Sequence, residues 1–307
     1  MGHHHDHTHT RNKKVLFISF LITFSYMIIE VIGGFITNSL ALLSDAGHML
    51  SDAASLGVGV LAFTMGERAV NQHKTFGYKR FEILAALFNG VTLIIIALYI
   101  FYEAFKRFLH PPEVVSTGML VIASIGLIVN ITVAWIMIRG DTEENLNLRS
   151  AFLHVLGDLF GSIGAIIAAL LIMFYGWAWA DPLASVIVAI LVLISGARVA
   201  KDAVHVLMEG VPKSVNIKDI INTIESVEGI VNIHDLHIWS ITSGKNALSC
   251  HAVVSDHLSV KDCQKILMKI EEKLKHQGIN HTTIQMETDE HEHSESILCD
   301  HEPNDEN

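Results

Sequence analysis

Long apolar segments alternate with short polar connectors along the first two thirds of the chain, and the pattern changes near residue 209. Gly118 to Ile138 runs for 21 residues without a charge, and Ile83 to Phe101 for 19. At about 1.5 Å per helical residue, each run crosses a hydrocarbon core of about 30 Å. A soluble helix of that length would carry a polar face; these do not. The pattern predicts six spans, over residues 15–36, 40–65, 81–105, 115–138, 150–175 and 178–200. The connectors alternate in charge. Arg11, Lys13 and Lys14 precede the first span, and Arg68, Lys74, Lys79 and Arg80 lie between the second and third. Arg139 and Arg149 flank the fourth connector, while Arg198 and Lys201 end the sixth span. Of the other three connectors, the first and fifth carry no Lys or Arg and the third only Lys106 and Arg107, so the balance puts both termini in the cytoplasm.

Beyond Glu209 the periodicity becomes that of a soluble domain. Residues 216–227 predict a helix with Ile217, Ile220, Ile221 and Ile224 on one face. Residues 231–242 and 247–254 predict two strands joined by the turn Ser243-Gly244-Lys245-Asn246. An amphipathic helix over 259–276 and a strand over 281–286 complete the order αββαβ. The expected fold is an all-α six-helix transmembrane bundle with a small α+β domain of ferredoxin-like type. Four regions follow: a His-rich cytoplasmic tail (1–13), the six-span domain (14–208), a cytoplasmic metal-binding domain (209–288), and an acidic His/Cys-containing tail (289–307).

Composition agrees with this division. Apolar residues make up 50% of the chain and charged ones 17%, both displaced from the soluble norm toward membrane proteins. The formal charge of −11 gathers at the end of the chain: no Lys or Arg follows Lys275. No basic patch is interleaved with aromatics, so nucleic acid is not an expected partner. Cys250, Cys263 and Cys299 all lie late and lack paired spacing, which argues against a disulfide framework and suits a reducing compartment. Residues 1–14 are polar and lead straight into a full-length apolar segment, which reads as the first span rather than a cleaved leader.

The charged groups inside the spans carry the chemistry. An Asp at the centre of a span costs about 2.5–3.5 kcal/mol to insert. Span two nevertheless contains Asp45, His48 and Asp52, and span five contains His154 and Asp158. Two helices thus each present His-x-x-x-Asp, whose members lie on one face about 6 Å apart. Small residues follow both: Ala53, Ala54, Gly57 and Gly59 after the first, Gly157, Gly161, Ser162 and Gly164 around the second. They allow the helices to approach closely in lipid. Two imidazoles and two carboxylates form a plausible tetrahedral zinc shell. Magnesium and calcium prefer six or more oxygens and are disfavoured; cobalt, cadmium and nickel stay open. One geometric question stays open too. Asp52 lies halfway along its span and Asp158 nearer the cytoplasmic end of the other, so either span five starts before Ser150 or a wet cavity reaches the site.

These features resemble the cation diffusion facilitator family, in its zinc-transporting branch. The similarity extends through Ser39-Leu40-Ala41-Leu42-Leu43-Ser44-Asp45-Ala46, Phe76-Gly77-Tyr78-Lys79-Arg80-Phe81-Glu82, His237-Ile238-Trp239-Ser240 and Thr283-Ile284-Gln285-Met286-Glu287. The resemblance implies a proton-coupled zinc antiporter, not an enzyme, acting as a homodimer by alternating access; the compact loops and short tails point to a bacterial plasma membrane. It implies His48, Asp52, His154 and Asp158 as transport ligands. It also implies a cytoplasmic, regulatory zinc site from His234, His251, His281 and Glu287, with Cys250 and Asp235 as neighbours. His237 is assigned to structure. Arg80 and Glu209 match an ion pair at the family's dimer hinge. Residues His3, His4, His5, His7 and His9, and at the other end His291, His293, Cys299 and His301, form metal-attracting tails. An intramembrane hydrolase would need an open coordination position and a general base, and no His-Glu-x-x-His pattern occurs.

Overall fold

The computed structural model describes residues 6–50, 72–138, 146–242, 244–255, 258–288 and 297. Helix α1 is Asp6–Thr37 and α2 is helical over residues 40–50, where description stops. Then come α3 (Phe81–Leu109), α4 (Ser116–Ile138), α5 (Leu146–Tyr175) and α6 (Ala180–Leu207). Five of the described helices are long and apolar enough to cross a membrane. The remainder of the second expected span lies outside the described residues. Two boundaries differ from the sequence expectation. Helix α1 extends back to Asp6, because the polar residues before the apolar run continue the helix beyond it. Helix α5 starts at Leu146 rather than Ser150, which puts Asp158 near the middle of its 30 residues.

The helical region has an inverted polarity. Its exterior is large and apolar: Phe35, Phe88, Ile95, Ile128, Phe160 and Phe174 are all exposed. Such a surface is untenable in water and ordinary in lipid. Its interior is small or polar, with Ala97, Ala104, Ala165, Ala169 and Ala189 buried beside Asn130 and Ser162. Small side chains let helix backbones close up where no hydrophobic force drives association. Asn130 Nδ2 donates to Ser162 Oγ at 3.2 Å, joining α4 to α5. Trp177 and Trp179 stack at 5.2 Å between α5 and α6, a placement typical of the membrane–water boundary.

The C-terminal unit contains α7 (Ile217–Glu225), β1 (Ile230–Thr242), β2 (Lys245–Val254), α8 (Val260–His276) and β3 (Ile279–Glu287). Asn216 and Ser259 cap the two helices, each side-chain oxygen accepting from an amide of the first turn. The sheet order is β1-β2-β3, with β1 and β2 antiparallel and β2 and β3 parallel. Helix α8 supplies the crossover that a parallel pair needs. Ile220, Ile224, Leu248, Ile266, Ile270 and Leu274 form the core between helices and sheet. One irregularity shapes the outer face. The register steps from His234↔His251 to His237↔Ser249, so β1 carries one extra residue there. Asp235 takes the left-handed conformation (φ 53°) at this bulge. Ile233 and Leu236 both reach the core as a result, leaving His234 and Asp235 together on the other side.

Candidate metal centres

The first cluster lies within the helical unit. Asp45 on α2 and Asp158 on α5 are buried to 3% and 2% exposure, and His48 is half-buried one turn after Asp45. The approach of α2 to α5 is tight. A Cβ built on Gly161 would stand 2.7 Å from Asp45 Oδ1, so only glycine admits that carboxylate against α5, one turn beyond Asp158. Ser162 is buried next to it, whereas Gly164 faces open space. Among the described small residues on α5, Gly161 therefore sets this approach. Asp52 lies outside the described residues, and of His154 only the backbone, within α5, is described.

A third carboxylate joins this cluster from α1. Glu30 is buried to 1% exposure and has Asp45 and Asp158 as electrostatic neighbours, with Asp45 in hydrogen-bonding reach. The Tyr26 hydroxyl, one turn earlier, lies 3.2 Å from both Glu30 Oε1 and the Ile122 carbonyl, and can donate to one at a time. A side chain at Gly126 on α4 would overlap that hydroxyl. The sequence expectation passed over Glu30, although the signal was available: it is a lone acid inside the first apolar run.

The second cluster lies on the outer face of the small sheet. One ligand atom each from His234, His251 and Glu287 falls within 4.8 Å of the others. His251 Nδ1 is 2.9 Å from Glu287 Oε1, and His234 Nε2 is 3.4 Å from Glu287 Oε2. Register explains the set: His234 pairs directly with His251, while Glu287 sits two residues beyond Gln285, the partner of His251 on β3. Gln285 Nε2 steadies the carboxylate by donating to Oε1 at 2.6 Å. Asp235 stands at the edge, 3.7 Å from His251 Nε2 and 3.0 Å from His237 Nε2.

The fourth residue grouped with these from sequence, His281, lies elsewhere. It shares a face with Glu287 but is six residues away on the same strand, about 20 Å at strand rise. Its ring packs edge-on against Phe76 instead, at 5.7 Å. Cys250 alternates to the opposite face and joins the core, where burial first and Asp235 second push its thiol up to about 12. Such a thiol is inert and faces away from the imidazoles. Arg80 Nη2 and Glu209 Oε1 meet at 3.0 Å. His3, His4 and His5, and His291, His293, Cys299 and His301, lie outside the described residues, as do the side chains of His7 and His9.

The cation efflux transmembrane domain matches residues 16–208, and the cytoplasmic domain of cation efflux proteins matches residues 212–289. The chain belongs to the cation efflux family. This cation efflux protein is thus an integral membrane transporter rather than an enzyme. It is 66% identical to the cadmium, cobalt and zinc/H(+)-K(+) antiporter of Bacillus velezensis, over 97% of this chain and 96% of that one. It is 44% identical to the zinc transporter ZitB of Pectobacterium atrosepticum, over 94% and 89% of the two chains. With the metal cation efflux system protein CzcD of Cupriavidus metallidurans it shares 42% identity, over 93% and 90%.

Proposed function

We propose that this cation efflux protein is a proton-coupled antiporter that exports zinc from the cytoplasm through a site formed by His48, Asp52, His154 and Asp158. One observation carries the reading: the buried Asp45 of α2 packs against α5 at Gly161, one turn beyond the buried Asp158, and Glu30 neighbours both carboxylates. Helical spacing supports the remaining ligands, since Asp52 follows His48, and Asp158 follows His154, by one turn. Two imidazoles and two carboxylates match the tetrahedral preference of zinc. Coupling follows from the same atoms. Metal requires neutral imidazole and ionised carboxylate, so loading expels protons and protonation from the other side promotes release. No separate proton path is needed. The relatives' names support zinc together with cadmium and cobalt, and the Bacillus relative's name adds potassium to the exchanged ions.

A second, regulatory zinc is proposed at His234, His251 and Glu287, where the donor set and spacing suit the ion. The αββαβ order with its parallel crossover supports a ferredoxin-like domain, and the family of residues 212–289 supports a homodimer. Six spans with both termini inside, in a bacterial plasma membrane, complete the proposal; the charge of the connectors and the bacterial relatives support it.

The test is simultaneous measurement of zinc and internal pH in vesicles holding purified protein, with imposed pH gradients and with or without potassium. Opposed fluxes of zinc and protons, lost in Asp52→Ala and Asp158→Ala, are the expected result. Zinc flux that ignores the pH gradient, or survives both substitutions, would overturn it.

A further inference from the structure

Asp181, the second residue of α6, is fully buried, at 0% exposure, and lies far along the chain from every ligand discussed above. Its carboxylate is nonetheless committed to α2. Oδ2 accepts from the Leu40 amide at 2.8 Å, and Oδ1 accepts from the Ala41 amide at 3.1 Å and from Ser39 Oγ at 2.6 Å. The first turn of any helix leaves four amides without intrahelical partners. In α2 the account closes: Asp181 takes Leu40 and Ala41, Ser39 Oγ takes Leu42 at 3.3 Å, and the Gly34 carbonyl takes the Ser39 amide at 3.1 Å. An aspartate on another helix thus supplies half of the cap. Its negative charge also faces the positive end of the α2 dipole.

The cap is anchored in turn. Arg107 on α3 lies 3.6 Å from Asp181 Oδ2, pairs with Glu103 at 3.1 Å, and donates to the Asn38 carbonyl at 2.7 Å and to Asn38 Oδ1 at 3.2 Å. Asn38 is the left-handed residue (φ 56°) that turns α1 into α2. Leu40 packs with Ile100, Ala104 and Ala189, so apolar contact ties the same turn to α3 and α6. Helices α3 and α6 are themselves held backbone to backbone. A Cβ on Gly90 would lie 2.8 Å from the Ala200 amide and 2.9 Å from the Gly196 carbonyl. The start of α2 is therefore fixed to a rigid α3–α6 pair by charge, hydrogen bonds and packing.

We infer that Asp181 is a positioning residue for transport, the pivot about which α2 swings its ligands between the two access states. A helix held at its first amides can tilt about that end without losing its cap. Asp45 and His48 stand about 7 and 12 Å from the pivot along the helix axis, so a modest tilt displaces them against α5. Without the pivot, α2 can still lend its ligands to an ion, but the swing no longer carries them reproducibly between sides. The cost falls on turnover, not on affinity. The inference rests on the proposed α2–α5 site.

The experiment compares wild type, Asp181→Asn, Ser39→Ala and Asp158→Ala in zinc uptake by vesicles. Rates are counted per zinc-binding protomer, with Asp158→Ala giving the binding background of other sites. Asparagine offers one acceptor oxygen where aspartate offers two, so Asp181→Asn should lose about tenfold or more of the maximal rate with KM within about threefold of wild type. Ser39→Ala retains both amide contacts of Asp181 and loses two other bonds. It should lose about threefold in rate at unchanged KM, and it carries the test if Asp181→Asn does not fold. Unchanged rates per binding protomer, or a loss confined to KM, would overturn the pivot. If Asp158→Ala transports zinc normally, the site reading fails instead, whatever position 181 does.

Discussion

The protein holds two clusters of carboxylates and imidazoles in opposite settings. In the helical unit Glu30, Asp45 and Asp158 are exposed by 3% or less, inside a bundle whose outer surface is apolar. On the sheet, His234 and Glu287 are each 7% exposed and His251 is half-buried at the rim. The donor balance differs as well: the membrane cluster gathers three acids from α1, α2 and α5, the sheet cluster two histidines around one acid. Three like charges in a low-dielectric interior require neutralisation by a cation or by protons. Such a site is suited to exchange one for the other. The sheet cluster stands on fixed register and a bulge, with a ring open to water, which suits holding an ion without moving it. The two clusters should therefore answer differently to the same kind of substitution.

Asp158→Ala should produce the largest effect, a loss of zinc transport of about a hundredfold or more, because it removes a proposed ligand and a charge from a buried position. Vesicle flux at saturating zinc measures it. A loss below about threefold would end the distinction drawn here. Glu30→Gln preserves shape and the contact with Tyr26 while removing one of the three acids. A rate loss of about tenfold, with zinc affinity shifted less, is expected if the α1 carboxyl shares in neutralising the site. An unchanged rate across the pH range would leave Glu30 a structural partner of Tyr26 alone.

The spans and the soluble domain were legible because their periodicities are strong and physically different. Twenty apolar residues without a break have few alternatives, and the isoleucines of 217–224 mark a buried helical face in a polar setting. The start of α5 was harder, since Asn147 and Arg149 interrupt the apolar run before Ser150, yet residues 146–149 extend the helix and bring Asp158 near its middle. His-x-x-x-Asp on two helices was visible as spacing. Glu30 and Asp181 were not singled out, because a lone acid has no partner in a one-dimensional pattern; Tyr26 apart, their partners lie 15 residues or more away. On the sheet, His234 and His251 could be paired only by knowing the register. A strand brings residues two apart onto one face but keeps residues six apart at a distance, and that separates His281 from Glu287. The left-handed bulge at Asp235 gave no sequence signal, since aspartate is common in ordinary turns too.

His251→Ala sharpens the contrast from the other side. The substitution removes the imidazole that touches Glu287 and neighbours Asp235, and should lower the zinc bound per full-length protomer by one at equilibrium. Transport at saturating zinc should stay within about threefold of wild type, since the membrane ligands are untouched. Equilibrium dialysis and vesicle flux on one preparation provide both readings. Because protons compete with metal for imidazole and carboxylate donors, retention of that zinc should weaken as pH falls. A mutant that binds the full complement of zinc removes the sheet cluster from the list of sites. A mutant that keeps its zinc deficit but loses transport a hundredfold would mean that the two clusters are not separate devices.

The smallest effect is expected at Arg80. Its guanidinium meets Glu209 at 3.0 Å, but both side chains are well exposed, at 39% and 62%. Water and salt screen such a pair, and its net worth is under about 1 kcal/mol. Nearby contacts in the same unit are firmer: Thr242 Oγ1 donates to Glu82 Oε2 at 2.7 Å, two residues along the chain from Arg80. Removing the guanidinium should therefore leave the fold and both clusters intact. Arg80→Ala should shift thermal stability by less than about 1 kcal/mol, and by less again in high salt. If the pair sets the geometry of a dimer hinge, the same variant should still weaken dimerisation, seen as a lower mass in light scattering, and slow transport in proportion. Unchanged mass and rate would reduce the pair to a surface contact. The outcome bears on the wider contrast, because a hinge that mattered would be a physical route by which metal on the sheet could bias the transport helices.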